Sequence, residues 1–366
     1  FRLRASYGYT GSVKFEPYQA VTTYKYTTDF LGYTGVGAIP MGMANPDLKW
    51  QTTKKFNVGL TSSFFDDRLN INLDYYKERT SDMVIDMTLP PSSGSTSIKA
   101  NLGSQDSHGF EFSVWGKIIR TKEWEWNLSA NGLYSRSTIK NISEALKRRN
   151  EMNASSNISS SPLQQYREGE SPSAIYAVRS AGIDPASGKE IYIKKDGSYT
   201  FKYDSKDMVS CGDTNPDLQG SFSTQLSYKR FSMNMYFSYR FGGEMFNSTR
   251  MAKVENINPR YNCDLRAFTE RWKKPGDVVP YLDISLTGGS SYTYSDRFVE
   301  KDNELWLSSL YFQYDVPMDI LKRFNIQKLY VGLGTEDLFR LTSAKYERGT
   351  SYPFSRTVNM SLSVTF

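Results

Sequence analysis

The run Arg356–Phe366, R-T-V-N-M-S-L-S-V-T-F, places Val358, Met360, Leu362, Val364 and Phe366 at every second position. Thr357, Asn359, Ser361, Ser363 and Thr365 fill the positions between. Successive side chains of a strand point to opposite faces, so this run has one apolar and one polar flank. A soluble sandwich accepts such a strand. The same pattern recurs upstream with very uneven spacing, and that spacing separates a sandwich from a barrel in an outer membrane.

Ten segments alternate in this way: Phe1–Thr10, Lys54–Phe65, Leu69–Thr80, Ser107–Ile119, Trp124–Ile139, Gly220–Tyr228, Phe231–Phe241, Glu304–Val316, Ile326–Glu336 and Arg356–Phe366. The connections are short at Asp66–Arg68, Arg120–Glu123, Lys229–Arg230 and Pro317–Asn325. They are long at Gly11–Thr53, Ser81–Asp106, Lys140–Gln219, Gly242–Asn303 and Asp337–Ser355. Strict alternation of the two lengths puts every long link at one rim and every short one at the other. Outer-membrane barrels have this arrangement, with long loops outside and short periplasmic turns. Structureless links this long would argue against strands in a compact soluble domain.

Composition agrees once read this way. Aromatic residues make up 14% of the chain, and no apolar window approaches the length of a membrane-spanning helix. The mean hydropathy of -0.54 is too hydrophilic for helical spans, yet alternation and long loops dilute a barrel's signal to such values. A net charge of +6 with scattered Lys and Arg does not suggest nucleic acid. One His and two Cys leave little for a metal site. The sequence starts at Phe1 inside a strand pattern without a signal peptide, so a longer exported protein is expected, of which this is the C-terminal part.

Trp115, Trp124 and Trp126 cluster around the Arg120 turn, where an interfacial girdle of amphipathic rings is expected; ordinary core packing is the alternative. In Phe231–Phe241 the polar flank carries Arg240, which on the lipid flank at mid-depth would cost roughly 2–4 kcal/mol. Inside the long links, a hairpin with a Pro185–Gly188 turn, another at Lys194–Gly197 and a short helix from Glu144 to Asn150 are expected.

His108 is the one histidine, with Asp106 close by, and a hydrolase would have to use it as its base. A polar rim position is the simpler reading. Gly35–Gly37 and Gly288–Gly289 lack the strand-to-helix setting of a phosphate loop. Cys211 and Cys263 both fall in exterior links, where a disulfide or two separate thiols are possible. The same links carry Tyr18, Tyr24, Tyr26, Tyr33, Tyr261 and Trp272 with Arg250, Arg260 and Arg266. Flat rings suit sugars and Arg suits carboxylates, so these are candidate contacts for a ligand or a covering partner; packing of the loops on one another would use the same residues.

Six stretches also resemble a known family. They are Asn45–Leu60 (beginning N-P-D-L-K-W), Arg68–Val84, Asn101–Val114, Gly212–Phe231 (beginning G-D-T-N-P-D-L), Arg271–Asp277 and Phe298–Leu310. With the Phe366 ending they look like the C-terminal barrel half of SusC-like (RagA-like) TonB-dependent transporters, in the right order across nearly the whole chain. The resemblance implies an all-β, antiparallel transmembrane barrel of 22 strands, of which residues 1–366 supply about the last ten. The N-terminal plug, the TonB-contacting segment and the earlier strands would precede Phe1. It further implies import of an oligosaccharide, or next an oligopeptide, across the outer membrane under a SusD-like lipoprotein lid. The TonB complex and outer-membrane lipid and lipopolysaccharide are the other implied partners, with no enzyme activity and no cofactor. Two departures are Leu305-Trp306-Leu307, with Trp where the family has Arg, and Glu336-Asp337-Leu338-Phe339. A self-contained ten-stranded hydrolase built on His108, or a barrel carrying adhesive loops, are the competing readings.

Overall fold

A computed structural model describes the chain except residues 14–20, 33–34, 43–44, 47, 89–96, 102, 156–161, 259–262, 288–292 and 345–355. Its frame is one antiparallel sheet whose ten principal strands follow chain order. They are β1 (Arg2–Ser12), β2 (Gln51–Phe64), β3 (Leu69–Ser81), β4 (Gly103–Arg120) and β5 (Trp124–Ile142). The sheet continues with β6 (Leu218–Tyr228), β7 (Phe231–Phe246), β8 (Val299–Asp315), β9 (Lys328–Glu336) and β10 (Val358–Thr365). Each of the ten expected segments overlaps one of these strands. Several run further than the alternation indicates: β4 has 18 residues and β5 has 19.

Register carries the apolar flank across the whole sheet. One continuous row reads Leu3, Leu60, Leu73 and Phe112 through β1–β4. At the other side, Met233, Phe312, Leu333 and Met360 lie side by side through β7–β10. Val358, Met360 and Leu362 are exposed, as hydrocarbon-facing side chains must be when no protein layer covers them. The opposite flank is joined by polar cross-strand pairs. Asn131 Nδ2 donates to Ser221 Oγ at 2.8 Å, Ser221 and Tyr236 share a hydroxyl contact of 3.1 Å, and Tyr311 and Ser361 do the same at 3.1 Å. A strand with one flank in lipid and one in water has this division of side chains.

The turns follow from local chemistry. Phe65, Asp66 and Asp67 all hold positive φ between β2 and β3, and Asn70 Nδ2 donates to Asp67 O at 3.1 Å to close the turn. Asp tolerates the left-handed region because its short side chain can bond locally. Lys229-Arg230 link β6 to β7 directly, with Lys229 at φ 54°. Between β8 and β9 the connection is less bare than expected. It holds a helical turn at Met318–Leu321 and another at Lys322–Phe324, ended by Asn325 in the left-handed region.

Close strand approach at one point needs a missing Cβ. A Cβ on Gly132 would fall 2.4 Å from the Phe112 ring and 2.8 Å from Tyr239 Oη. Tyr239 instead lies across the sheet and donates its hydroxyl to Asn131 O at 2.8 Å.

Among the described residues β1 pairs with β2 alone and β10 with β9 alone, so the ten strands form an open sheet with two bare edges. In a bilayer, every edge donor and acceptor must be satisfied within protein. A self-contained ten-stranded barrel would require β1 and β10 to pair, and they do not.

Candidate functional site

The described residues of the long connections 143–217 and 247–298 are not loose. They pack into a hydrophobic core of their own above the sheet, built on Tyr176, Met208, Met251, Val254, Tyr294 and Phe298. The elements that form it are small. The hairpin Arg179–Ile183 with Glu190–Ile193 turns through Asp184–Lys189, and Lys194–Ser198 leads to Tyr199–Thr200, both where turn residues place them. A helix at Glu144–Ser155 exceeds the expected Glu144–Asn150. The strand pair Ala174–Ala177 with Val209–Asp213 and the hairpins Thr23–Gly32 with Gly35–Gly42 and Val84–Thr88 with Ser97–Asn101 are additions; the strands of the first and last are four or five residues long and show too few alternations to read.

Buried charge locks the two connections together. Arg297 donates Nε to Glu190 Oε1 at 2.8 Å, Nη2 to Glu190 Oε2 at 2.9 Å, and Nη2 also to Glu255 Oε1 at 2.9 Å. Burial alone would raise the Glu190 carboxyl, but Arg297 outweighs it and holds the group below the usual carboxylate range. At Glu255 burial wins and the carboxyl sits above that range. Arg271, also buried, is satisfied by carbonyls: Ala267 O at 2.8 Å, Leu282 O at 2.9 Å, and Val254 O and Glu255 O at 2.6 Å each. These bonds offset the large cost of removing charges from water.

Lower on the wall, Arg240 Nη2 reaches Asp302 Oδ2 at 2.8 Å and Glu304 Oε2 at 3.0 Å, and Arg340 reaches the other Glu304 oxygen at 3.5 Å. The Arg340 guanidinium lies 5.2 Å over the Trp306 ring. Trp306, one of the two departures from the family pattern, thus serves as the face on which this cluster rests.

The expected contact residues separate into three groups. Tyr24 and Tyr26 stand on one hairpin, 61% and 77% exposed, with their rings open to solvent. Arg250 and Trp272 are engaged within the protein instead. Arg250 pairs with Glu300, donates to Arg297 O and lies 5.3 Å from the Phe298 ring. Trp272 Nε1 donates to Pro185 O at 2.9 Å, and its ring covers Gly188. Arg266 is engaged in the same way, in a two-pronged pair with Asp264. Tyr18, Tyr33, Arg260, Tyr261 and the Gly288–Gly289 pair lie outside the described residues.

Trp124 and Trp126 share the apolar flank next to the short turns; the Trp124 ring lies 4.2 Å from that of Tyr228, tilted by 31°, and Trp126 Nε1 donates to Thr224 Oγ1 at 2.8 Å. Trp115 does not join them. Its register partners Asn70 and Ser129 put it on the polar flank, where Lys117 lies 5.3 Å over the ring. Val114, one residue earlier, takes the apolar position, and period two leaves no choice for Trp115. Cys211 and Cys263 form no disulfide with each other. The Cys211 thiol donates to Ala177 O at 3.5 Å, and burial pushes its pKa up to about 11.

His108 faces outward between Lys77 and Arg136 in register, with the Tyr134 ring 6.5 Å away. Asp106 is occupied by Arg79 at 2.7 Å and Lys140 at 3.7 Å. No acid positions this imidazole among the described residues, so the geometry expected of a hydrolytic base is missing. Among those residues there is also no cluster of His, Cys, Asp and Glu able to hold a metal ion.

Comparison with known proteins gives a consistent result. Residues 1–257 match the family described as TonB dependent receptor-like, beta-barrel. TonB-dependent receptor P3 of Formosa agariphila is 25% identical over 100% of this chain and 39% of its own length. TonB-dependent receptor SusC of Bacteroides thetaiotaomicron is 24% identical over 64% of this chain and 24% of its own length. Among solved structures, the RagAB peptide importer in its open-open state superposes with a TM-score of 0.76 at 26% identity, covering 100% of this chain and 40% of that one. The chain thus spans at most about two fifths of the length of these relatives.

Proposed function

Starting from the fact that this chain belongs to the TonB-dependent receptor β-barrel family, we propose that it forms the C-terminal wall and much of the outer mouth of an outer-membrane importer. The rest of the barrel, the plug and the TonB-contacting segment are assigned to the portion of the receptor outside residues 1–366. In this reading the polar flank lines the passage and the packed connections 143–217 and 247–298 form a fixed part of the entrance. The single observation that carries the proposal is the continuous two-faced sheet with its folded, charge-locked connections gathered at one rim. No covalent step is involved.

The substrate we propose is a nutrient oligomer too large for a porin, an oligosaccharide first, admitted under a SusD-like lipoprotein lid. Tyr24 and Tyr26 are the exposed rings available to stack on a sugar or to meet the lid. An oligopeptide is the second reading, favoured by likeness to a protein described as a peptide importer. The test is uptake in the native organism. Deleting the lid lipoprotein or the TonB complex is expected to stop uptake while the barrel stays folded. Undiminished uptake without TonB would refute the importer, and undiminished uptake without the lid would refute the pairing. Mass spectrometry of material copurified with the full-length receptor distinguishes glycan from peptide.

A further inference from the structure

Among the described residues, the polar flank of the sheet carries the rings of Tyr76, Trp115, Tyr236, Trp306, Tyr311 and Tyr330. Most of these rings already have a cation of the protein over them. Lys55 Nζ lies 5.0 Å over Tyr76, and Lys117 Nζ 5.3 Å over Trp115. Lys328 Nζ lies 5.8 Å over Tyr330, and the Arg340 guanidinium 5.2 Å over Trp306. Tyr236 and Tyr311 have neither a cation nor a second ring against them among the described residues.

The two uncovered rings are neighbours. Register places Tyr236 opposite Ser309, two residues nearer the rim of long connections than Tyr311, an offset of about 7 Å at roughly 3.4 Å per residue. Both are tied down at the hydroxyl, Tyr236 to Ser221 and Tyr311 to Ser361, each at 3.1 Å. Tyr311 on β8 reaches Ser361 on β10 by lying across β9, where Gly332 and Gly334 leave it room. A Cβ on Gly332 would run into the Tyr311 hydroxyl, and one on Gly334 would come within 3.2 Å of the ring. A ring laid on backbone in this way keeps one face against the wall and turns the other away from it. Tyr236 is 45% exposed.

The wall around them is neutral. From Ser221 to Ser227, Ser232 to Ser238 and Trp306 to Gln313, the polar flank of β6, β7 and β8 holds hydroxyls, amides and these rings, with no charged side chain. Glu336, at the level of Ser309, stands at the edge of this sector on β9. The same flank of β1–β4 carries Arg4, Asp74, Glu78 and Glu111 instead. A sugar ring has an apolar face bounded by hydroxyls, so it can stack on a tyrosine while its rim bonds to Ser, Asn and Gln. A charged chain finds no counter-charge in this sector.

We propose that Tyr236 and Tyr311 are stacking platforms for the rings of a neutral oligosaccharide moving along the passage, a specificity-determining pair on the wall below the mouth. The proposal rests on the importer reading given above and narrows its substrate to uncharged glycans.

The full-length receptor is placed in a planar bilayer under urea that releases the plug and leaves the barrel folded. Block of its current is read with neutral hexasaccharides of glucose, mannose and xylose, with hexagalacturonate, and with an uncharged, end-capped peptide of the same length. At least one neutral hexasaccharide is expected to block the wild type. Tyr236→Ala/Tyr311→Ala is expected to shorten each block about tenfold. Tyr236→Phe/Tyr311→Phe keeps both flat faces and is expected to stay within about twofold of wild type. Tyr236→Leu/Tyr311→Leu covers the glycines without a flat face, so its blocks should be as brief as those of the Ala variant. Wild-type block in the Leu variant overturns the proposal, by showing that the rings only pack the wall. So does block by hexagalacturonate or by the peptide as long-lived as block by the neutral glycan. Absence of block by every neutral hexasaccharide overturns it as well. Current block is read without TonB or the lid, so uptake that fails in cells while block persists refutes the importer and leaves the pair standing.

Discussion

Arg297 grips Glu190 with two parallel bonds of 2.8 and 2.9 Å, joining residues 107 positions apart in sequence and in different long connections. Fork-to-fork pairs of this kind fix orientation as well as distance. With Glu255 on the same guanidinium, they make the two connections one unit.

Removing the cation leaves two buried acids, Glu190 and Glu255, without the guanidinium they share. Arg297→Met is expected to destabilise the packed connections by about 3–5 kcal/mol, because breaking a buried pair strands the remaining charge. The sheet is expected to stay folded, since its pairing does not use this residue. Limited proteolysis on intact cells, followed by unheated gel mobility, reads the two effects separately. Early cleavage between 143 and 298 with retained barrel mobility is the expected outcome; unchanged protease resistance contradicts it.

The acids give the same unit a pH dependence. Glu190 is held below its ordinary value, so its contribution is present above an unfolded pKa of about 4.3 and is lost as pH falls through the lower folded value. Glu255 is raised by burial and has the opposite sign: it favours the packed state when protonated and loses that advantage as pH rises past about 4.3 toward its folded value. Protease resistance of the connections is therefore expected to fall in acid for wild type. Glu190→Gln should remove most of that acid loss, and Glu255→Gln should leave it in place. Identical acid profiles for both variants would contradict the assignment.

Gly188 holds φ 69° beneath the Trp272 ring, and a Cβ there would fall 2.6 Å from it. Gly188→Ala is expected to cost about 1–2 kcal/mol from the left-handed backbone alone, with the clash added. Trp272→Ala removes the clash and the bond to Pro185 O. The double variant should then be less destabilised than the sum of the two singles. Urea midpoints for protease resistance of this hairpin supply the cycle.

The two flanks of the sheet can be told apart by one charge. Leu73→Arg, in the middle of the apolar row, is expected to cost roughly 2–4 kcal/mol of barrel stability in a bilayer, and Asn72→Arg, one residue away on the polar flank, close to nothing. Reversible urea unfolding in lipid vesicles measures both. Equal costs would contradict the assignment of lipid and water to the two faces.

Much of the frame could be read in one dimension because its determinants are local. Period-two alternation names the faces of Arg356–Phe366 and of nine other segments, and turn residues such as Asp66-Asp67 mark where the chain reverses. Each strand then pairs with its neighbour in sequence, so order and topology follow almost without further information. Nearness to a turn does not fix a face: Trp115 and Trp124 flank the same Arg120 turn, but the register puts Trp115 on the other flank.

The mouth was legible only in outline. Composition marks Arg250, Trp272 and Tyr24 as the same kind of residue, an exposed ring or cation in a long link. Which of them remain available is decided by contacts between positions far apart, such as Arg250 with Glu300 and Trp272 with Pro185. The sequence by itself determined the two-faced sheet, since the alternation of each strand is a local property of the chain. Only the tertiary structure decided which loop residues are spent on packing and which face outward, because burial depends on what the rest of the chain brings alongside.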